Sequence, residues 1–210
     1  MESGTDKFEK LTEVRQRAVM NAATEVFGRY DYPRASTELI ARKAGISKSL
    51  LFFYFGNKRN LYMYVINYVA RVTIAGVVDD KLGEIDDFFE VLAYTARRKV
   101  EVIAKYPFLM DFAMKAFYPQ KSDEVKGELD SYIGGAISSI SQTYFRSVRW
   151  DKFRDDMDPK KILSMLVWMT DGYIHEHQRG GHEVGIDDIM TEFHSWCALL
   201  RRTCYKEEYL

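Results

Sequence analysis

Residues 36–61 read STELIARKAGISKSLLFFYFGNKRNL, and this stretch decides the fold. Ser36 stands just before Thr37-Glu-Leu-Ile-Ala-Arg-Lys-Ala44, where its hydroxyl can accept from a free first-turn amide and cap a short helix. Gly45 supplies the residue that takes a left-handed conformation without a Cβ penalty, so the helix stops there. Ser47 opens another short helix only three residues after the first has ended, and a turn that tight forces the two to cross steeply. The spacing therefore predicts a helix-turn-helix.

Working outward, Leu11, Val14, Ala18, Ala22 and Val26 recur at steps of three and four and predict an amphipathic helix running to about Phe27. Arg29-Tyr-Asp-Tyr-Pro33 breaks it. On the other side, Leu61, Val65, Tyr68 and Val72 keep helical spacing from Asn57 onward, as do Phe88, Leu92, Ala96, Val100 and Ile103. Pro107 reads as the first residue of a further helix, Ser122 as the cap of one carrying Leu129, Ala136, Ile140 and Phe145, and Asp158-Pro159 as a cap followed by a tolerated first-turn proline. Two last helices run through Ile162, Leu166, Met169 and Tyr173, and through Ile189, Phe193, Trp196 and Leu200, split at Gly180-Gly181. The expectation is an all-α chain of about nine helices without strands. Residues 1–56 form a three-helix head and 57–210 a helical body.

The 210 residues are 47% hydrophobic, enough for a sizeable core. The polar start MESGTDKFEK lacks the apolar segment of a signal peptide, and no run of eighteen apolar residues occurs, so a soluble, cytoplasmic chain with no membrane partner is expected. The net charge of −1 conceals a split: residues 1–72 carry 12 Lys and Arg against 7 Asp and Glu, and residues 73–210 carry 18 against 24. A basic head on an acidic body suits a module that meets a polyanion. Cys197 and Cys204 lie seven apart in one helical pattern, about 10.5 Å along the axis, too far for a disulfide. No nucleophile-base motif, P-loop or dinucleotide fingerprint is present, which argues against an enzyme, and no cofactor is expected. His175, His177 and His182 raise the question of a metal, but residues two apart project to nearly opposite sides of a helix, so a solvated helix end is the expectation.

Ile40-Ala41, Ala44-Gly45-Ile46-Ser47-Lys48, the aromatic run Phe52-Phe53-Tyr54-Phe55, and Lys58 with Leu61 occur in order without a gap. In these elements the segment resembles the DNA-binding domain of the TetR (tetracycline-repressor) family. The family usually has threonine where Leu50 stands and tyrosine where Phe52 stands. A short helix from Ser47 to Tyr54 can enter a major groove about 12 Å wide. Ser36, Thr37, Lys48, Ser49, Leu50, Phe52, Phe53, Tyr54 and Lys58 are then the candidate DNA contacts. Lys48 can reach a phosphate or a guanine edge, Ser49 allows close approach, Leu50 can touch a thymine methyl, and Lys58 is placed for a phosphate. Leu51 and Phe55 are expected in the core. The resemblance also implies an effector cavity among the middle helices, for which Tyr68, Tyr94, Met110, Phe112, Met114, Phe117, Tyr144 and Trp168 are candidates. Met165, Met169, Gly172, Phe193, Trp196 and Leu200 offer more apolar surface than one outer face needs, and predict a two-fold homodimer through the last two helices. The expected function is a repressor released from operator DNA by a small, mostly apolar molecule. The alternatives are a helical protein that kept the head but acts chiefly through protein partners, and an enzyme built on helices.

Overall fold

A computed structural model describes residues 3–117, 123–180 and 185–210. Ser122, Gly181, His182 and Glu183, and the side chains of Phe117, Ala136 and Ile140, lie outside the described residues. Eleven α-helices occur among the described residues: α1 (Gly4–Glu9), α2 (Glu13–Arg29), α3 (Thr37–Lys43), α4 (Lys48–Phe55), α5 (Lys58–Val77), α6 (Asp80–Glu84), α7 (Phe88–Lys105), α8 (Leu109–Phe117), α9 (Asp123–Tyr144), α10 (Pro159–Arg179) and α11 (Ile186–Cys204). None of the described residues forms a strand; Phe153 and Tyr205 make one isolated antiparallel bridge. The all-α expectation holds, and the two helices beyond the expected nine are α1 and α6, of 6 and 5 residues. No helix among the described residues is long and apolar enough to cross a membrane.

The chain packs as two compact units. The first comprises Met1–Val77 with Glu101–Ile140, the second Val78–Val100 with Ser141–Leu210. In the first, α2 is wedged between α3, α5 and α8. Its buried residues are Val19, Met20, Ala22, Ala23, Val26 and Phe27, whereas Val14 is 79% exposed and Ala18 is exposed as well. The sequence register placed both inward. It failed there because Thr12 starts a fresh helix after α1, so the first turns of α2 stand clear of the neighbours that cover its second half. Phe27 anchors an aromatic cluster, with ring centroids 4.9 Å from Tyr62, 6.4 Å from Tyr32 and 6.5 Å from Phe112. Gly28 permits the approach of α8, since a Cβ there would lie 3.0 Å from the Phe112 amide nitrogen.

The second unit is built around Phe88, Phe89, Phe153 and Tyr205, with the Phe153 and Tyr205 rings 4.9 Å apart. Asp87 holds it together electrostatically. One carboxylate oxygen accepts from the Phe89 and Glu90 amides at the start of α7, and the other lies 3.2 Å from Arg201 and 3.6 Å from Lys152. The Tyr205 hydroxyl accepts from the Phe88 amide at 3.2 Å. Pro159 opens α10 as expected, with Asp158 accepting from the Lys160 amide. Pro107 does not open α8, which starts two residues later at Leu109. Both cysteines are buried free thiols.

Phe27→Ala removes the ring on which Tyr32, Tyr62 and Phe112 converge, and about 3–5 kcal/mol of stability is expected to go with it. A shifted urea midpoint at unchanged slope is the reading that checks this.

Candidate nucleic-acid interface

The turn between α3 and α4 is built as the residues dictate. Ser36 accepts from the Leu39 amide at 3.3 Å and caps α3. At the other end Gly45 takes φ +69°, its amide donates to the Arg42 carbonyl at 3.2 Å, and the Ile46 amide reaches the Ala41 carbonyl at 3.0 Å. This pair of bonds satisfies carbonyls that the helix end would otherwise leave open. Ser47 then caps α4 through the Leu50 amide at 3.1 Å, and Gly56, at φ +75°, ends it. Asn57 receives the Asn60 amide at 2.8 Å and starts α5. An ion pair on the buried Glu25 ties α3 to α2: its carboxylate lies 3.0 Å from Lys43 and 3.1 Å from Arg29, both of which reach solvent.

Within α4, Leu51 and Phe55 are buried as expected. Lys48 and Ser49 are exposed, Leu50 is 37% exposed and Phe53 is 54% exposed. Phe53 lies three residues after Leu50 and four after Ser49, so it shares an outward face with each of them. Phe52 and Tyr54 are half-buried, and the Tyr54 ring is turned edge-on to Phe8 at 5.5 Å. On α3, Ser36 is exposed and Thr37 half-buried.

Lys58 departs from the expected role. Its ammonium donates to the Pro33 carbonyl at 3.1 Å and lies 4.7 Å over the Tyr32 ring. Burial lowers its pKa from the ordinary lysine value. It clamps the 3₁₀ turn Tyr32–Arg34 onto α5, a contact invisible in the sequence because Pro33 lies twenty-five residues away. Sequence reasoning also missed α1. The available signal was Ser3 three residues ahead of Asp6, which here form a capping box.

The candidate effector residues are divided between the two units. Tyr68, Met110, Phe112 and Met114 belong to the first unit, Tyr94, Tyr144 and Trp168 to the second. Tyr68 borders a cavity of about 10 Å³ with Asn21, Thr24, Val69, Tyr106, Phe108 and Leu109, room for one water molecule. Phe112 is core, Met110 and Met114 are half-buried, and the Tyr94 hydroxyl donates to Asp79 at 2.6 Å. Tyr144 is buried, which pushes its pKa up to about 12. Trp168, placed in the effector wall from sequence, is 66% exposed on α10 instead. It shares a helical stripe with Met165, Met169 and Gly172, of which the methionines are half-buried and the glycine exposed. On α11, Phe193, Trp196 and Leu200 are half-buried and Leu199 is exposed. His175 and His177 each turn Nδ1 back to the carbonyl four residues earlier, Asp171 and Tyr173. Among the described residues, no group of three or more His, Cys, Asp or Glu gathers into a metal site.

A short capped helix with an exposed stripe, carried on a tight turn, defines a helix-turn-helix DNA-binding protein. Residues 19–65 match the family model described as bacterial regulatory proteins, tetR family. The chain is 30% identical over 176 residues to the HTH-type transcriptional regulator RutR of Escherichia coli O157:H7, covering 80% of this chain and 78% of that one. Among solved structures, NalD, the secondary repressor of the MexAB-OprM multidrug efflux pump in Pseudomonas aeruginosa, superposes with TM-score 0.63 at 18% identity over 93% of this chain and 98% of its own. The fatty acid degradation regulator FadR from Bacillus halodurans gives 0.65 at 15% over 86% and 96%. The chain belongs to the tetR family and is a helix-turn-helix transcriptional regulator, of the kind that binds operator DNA and acts as a dimer.

Lys58→Met keeps the aliphatic stem and discards the hydrogen bond to Pro33 and the cation over Tyr32. A loss of about 1 kcal/mol in urea unfolding is expected even without DNA present. A purely phosphate-binding lysine would leave that stability unchanged.

Proposed function

We propose that this regulator grips duplex operator DNA with residues 1–56, placing α4 in the major groove, while residues 57–210 pair two copies and house the response to an effector. The observation that carries the reading is the outward stripe of α4. Lys48, Ser49, Leu50 and Phe53 are exposed on a helix whose inward residues, Leu51 and Phe55, are fully committed to packing. Ser36, Thr37, Phe52 and Tyr54 flank that stripe. Leu50, standing where relatives carry a hydroxyl, favours a thymine methyl as its partner. Lys58 contributes by holding the turn in place, and only secondarily by its charge.

The outer faces of α10 and α11 support pairing of two copies. Val167, Trp168 and Leu199 are large apolar side chains left exposed beside Met165, Met169, Gly172, Phe193, Trp196 and Leu200. Two heads joined in this way would read half-sites about 34–36 Å apart on a palindromic operator. The roles of NalD as a repressor and FadR as a regulator of fatty acid degradation favour repression relieved by a small, mostly apolar effector. Met110 and Met114, half-buried on α8, are the adaptable side chains nearest in character to such a molecule. Entry beside Tyr68 would have to open the one-water cavity there, so binding and rearrangement would be one event.

Fluorescence anisotropy with a short duplex from beside the chain's own gene tests the DNA reading. Affinity is expected to fall steeply from about 50 to 200 mM salt, and Lys48→Ala to make the slope shallower by about 0.9. Leu50→Thr should instead change the preferred base. Salt-independent binding would refute the reading. For the pairing, the double variant Trp168→Glu, Leu199→Glu is expected to run as a monomer in light scattering where the parent runs as a dimer, because two charges on each copy would be desolvated in the joint.

A further inference from the structure

The helix-turn-helix closes without α1, yet Phe8, Lys7 and Glu9 of α1 reach side chains of α4 and α5. Six residues are too few for a helix to persist alone. Phe8 is 1% exposed, and its ring lies 5.5 Å from Tyr54, 4.9 Å from Phe55 and 5.6 Å from Tyr64. Gly4 sits so near the Phe53 and Tyr54 carbonyl oxygens that a Cβ would overlap both. The far end of α1 is tied as well. The Tyr64 hydroxyl donates to Glu9 at 3.1 Å, and the Gln16 amide donates to the Glu9 and Leu11 carbonyls, each at 2.8 Å. Lys7 holds its ammonium 4.7 Å over the ring of Phe53, the most exposed aromatic of α4.

These contacts divide the work in two. Phe8 packs on the Phe55 and Tyr54 rings and Gly4 lies against the Phe53 and Tyr54 carbonyls, so both touch the C-terminal half of α4 and fix its tilt. Lys7 puts a cation at the edge of the stripe that faces outward. A helix lying in a groove about 12 Å wide has a phosphate chain on either side, and a cation beside its outward aromatic residue is within reach of one. The acidic residues of α1 keep their charge but are held in fixed places. Asp6 is spent on the capping box and Glu9 on Tyr64.

We infer that α1 is a working part of the DNA interface, with Phe8 a positioning residue for the recognition helix and Lys7 an additional phosphate contact. The inference rests on the reading of α4 as the recognition helix. The full chain is first used to enrich a duplex from a random-sequence library, and that duplex and a scrambled one are then titrated at several salt concentrations. With Lys7→Gln the salt slope is expected to become shallower by about 0.9 while the sequence preference stays. With Phe8→Ala the ratio of specific to scrambled affinity is expected to fall about tenfold, the discrimination carried by roughly one base pair. A merely structural role would leave that ratio unmoved at a temperature where circular dichroism shows the chain folded. Should Phe8→Ala lose its folded signal, Phe8→Leu keeps the buried volume, discards the ring contacts and is read by the same ratio. An unchanged slope with Lys7→Gln, or an unchanged ratio with the Phe8 variant, overturns the proposal and leaves the DNA reading standing. Failure of the parent chain to enrich any duplex removes the DNA reading itself.

Discussion

A recognition helix must be short to enter a groove, and a short helix cannot hold itself. The eight residues of α4 and seven of α3 fall well below the roughly 12–15 at which an isolated helix becomes even marginal in water. Their stability is borrowed from neighbours. Leu51 and Phe55 bury the inner face of α4, Ile40 and Ala41 that of α3, and the Gly45 turn closes the carbonyls between them. Glu25, 9% exposed on α2, adds an ion pair to Lys43 at the end of α3, where a lysine also suits the negative end of the helix. Because the outward face of α4 takes no part in this packing, it is open to be chosen for DNA.

The head's positive surplus has to be read with the packing in view. Lys43, Arg29, Arg34 and Arg59 are each paired with a carboxylate, on Glu25, Asp31 and Glu128, and Lys58 is turned onto Pro33 and Tyr32. Glu25 is shared by Arg29 and Lys43, and Glu128 lies outside residues 1–72, so these pairs do not cancel the head's charge one for one; Lys7 on α1 and Lys48 on α4 are among its other cations. In the proposed docking, Lys7 and Lys48 stand at the edge that a polyanion would meet. That placement steers association over about one Debye length and matters less for affinity as salt rises.

The turn was legible in the sequence because its signals are local. Ser36, Gly45 and Ser47 act on amides and carbonyls within four residues of themselves, and all three do in the structure what their chemistry predicts. The existence of every helix except the short α1 and α6 was legible from local pattern as well. The burial register of α2 was not, since Val14 and Ala18 keep the right spacing but have nothing above them. Lys58 illustrates the limit from the other side: a lysine's cation goes to whichever acceptor the fold brings near, and Pro33 comes near only through a turn of tertiary structure. Trp168 was misplaced because helical spacing identifies a stripe without saying which stripe faces inward. The stripe it shares with Met165, Met169 and Gly172 faces out.

The same packing determines how a signal could reach α4. No seam falls at residue 56; the head is packed as one unit with Glu101–Ile140, and α2 is the element that joins them. Gly28 lets α8 approach within van der Waals contact, Phe27 meets Phe112, Asp31 meets Lys115 at 3.2 Å, and the Tyr32 hydroxyl donates to Glu124 at 3.0 Å. Apolar close packing and polar bonds of this kind shift between discrete arrangements and do not stretch gradually. A displacement of α8 would move α2 with it, and α2 is tied to α3 through Glu25 and Lys43. A coupling of 1–3 kcal/mol, enough to change operator affinity roughly 5- to 150-fold, is no more than one or two of these contacts are worth. Gly28 is a tight point of this contact, because a Cβ there would lie 3.0 Å from the Phe112 amide nitrogen and α8 would have to give by a few tenths of an ångström.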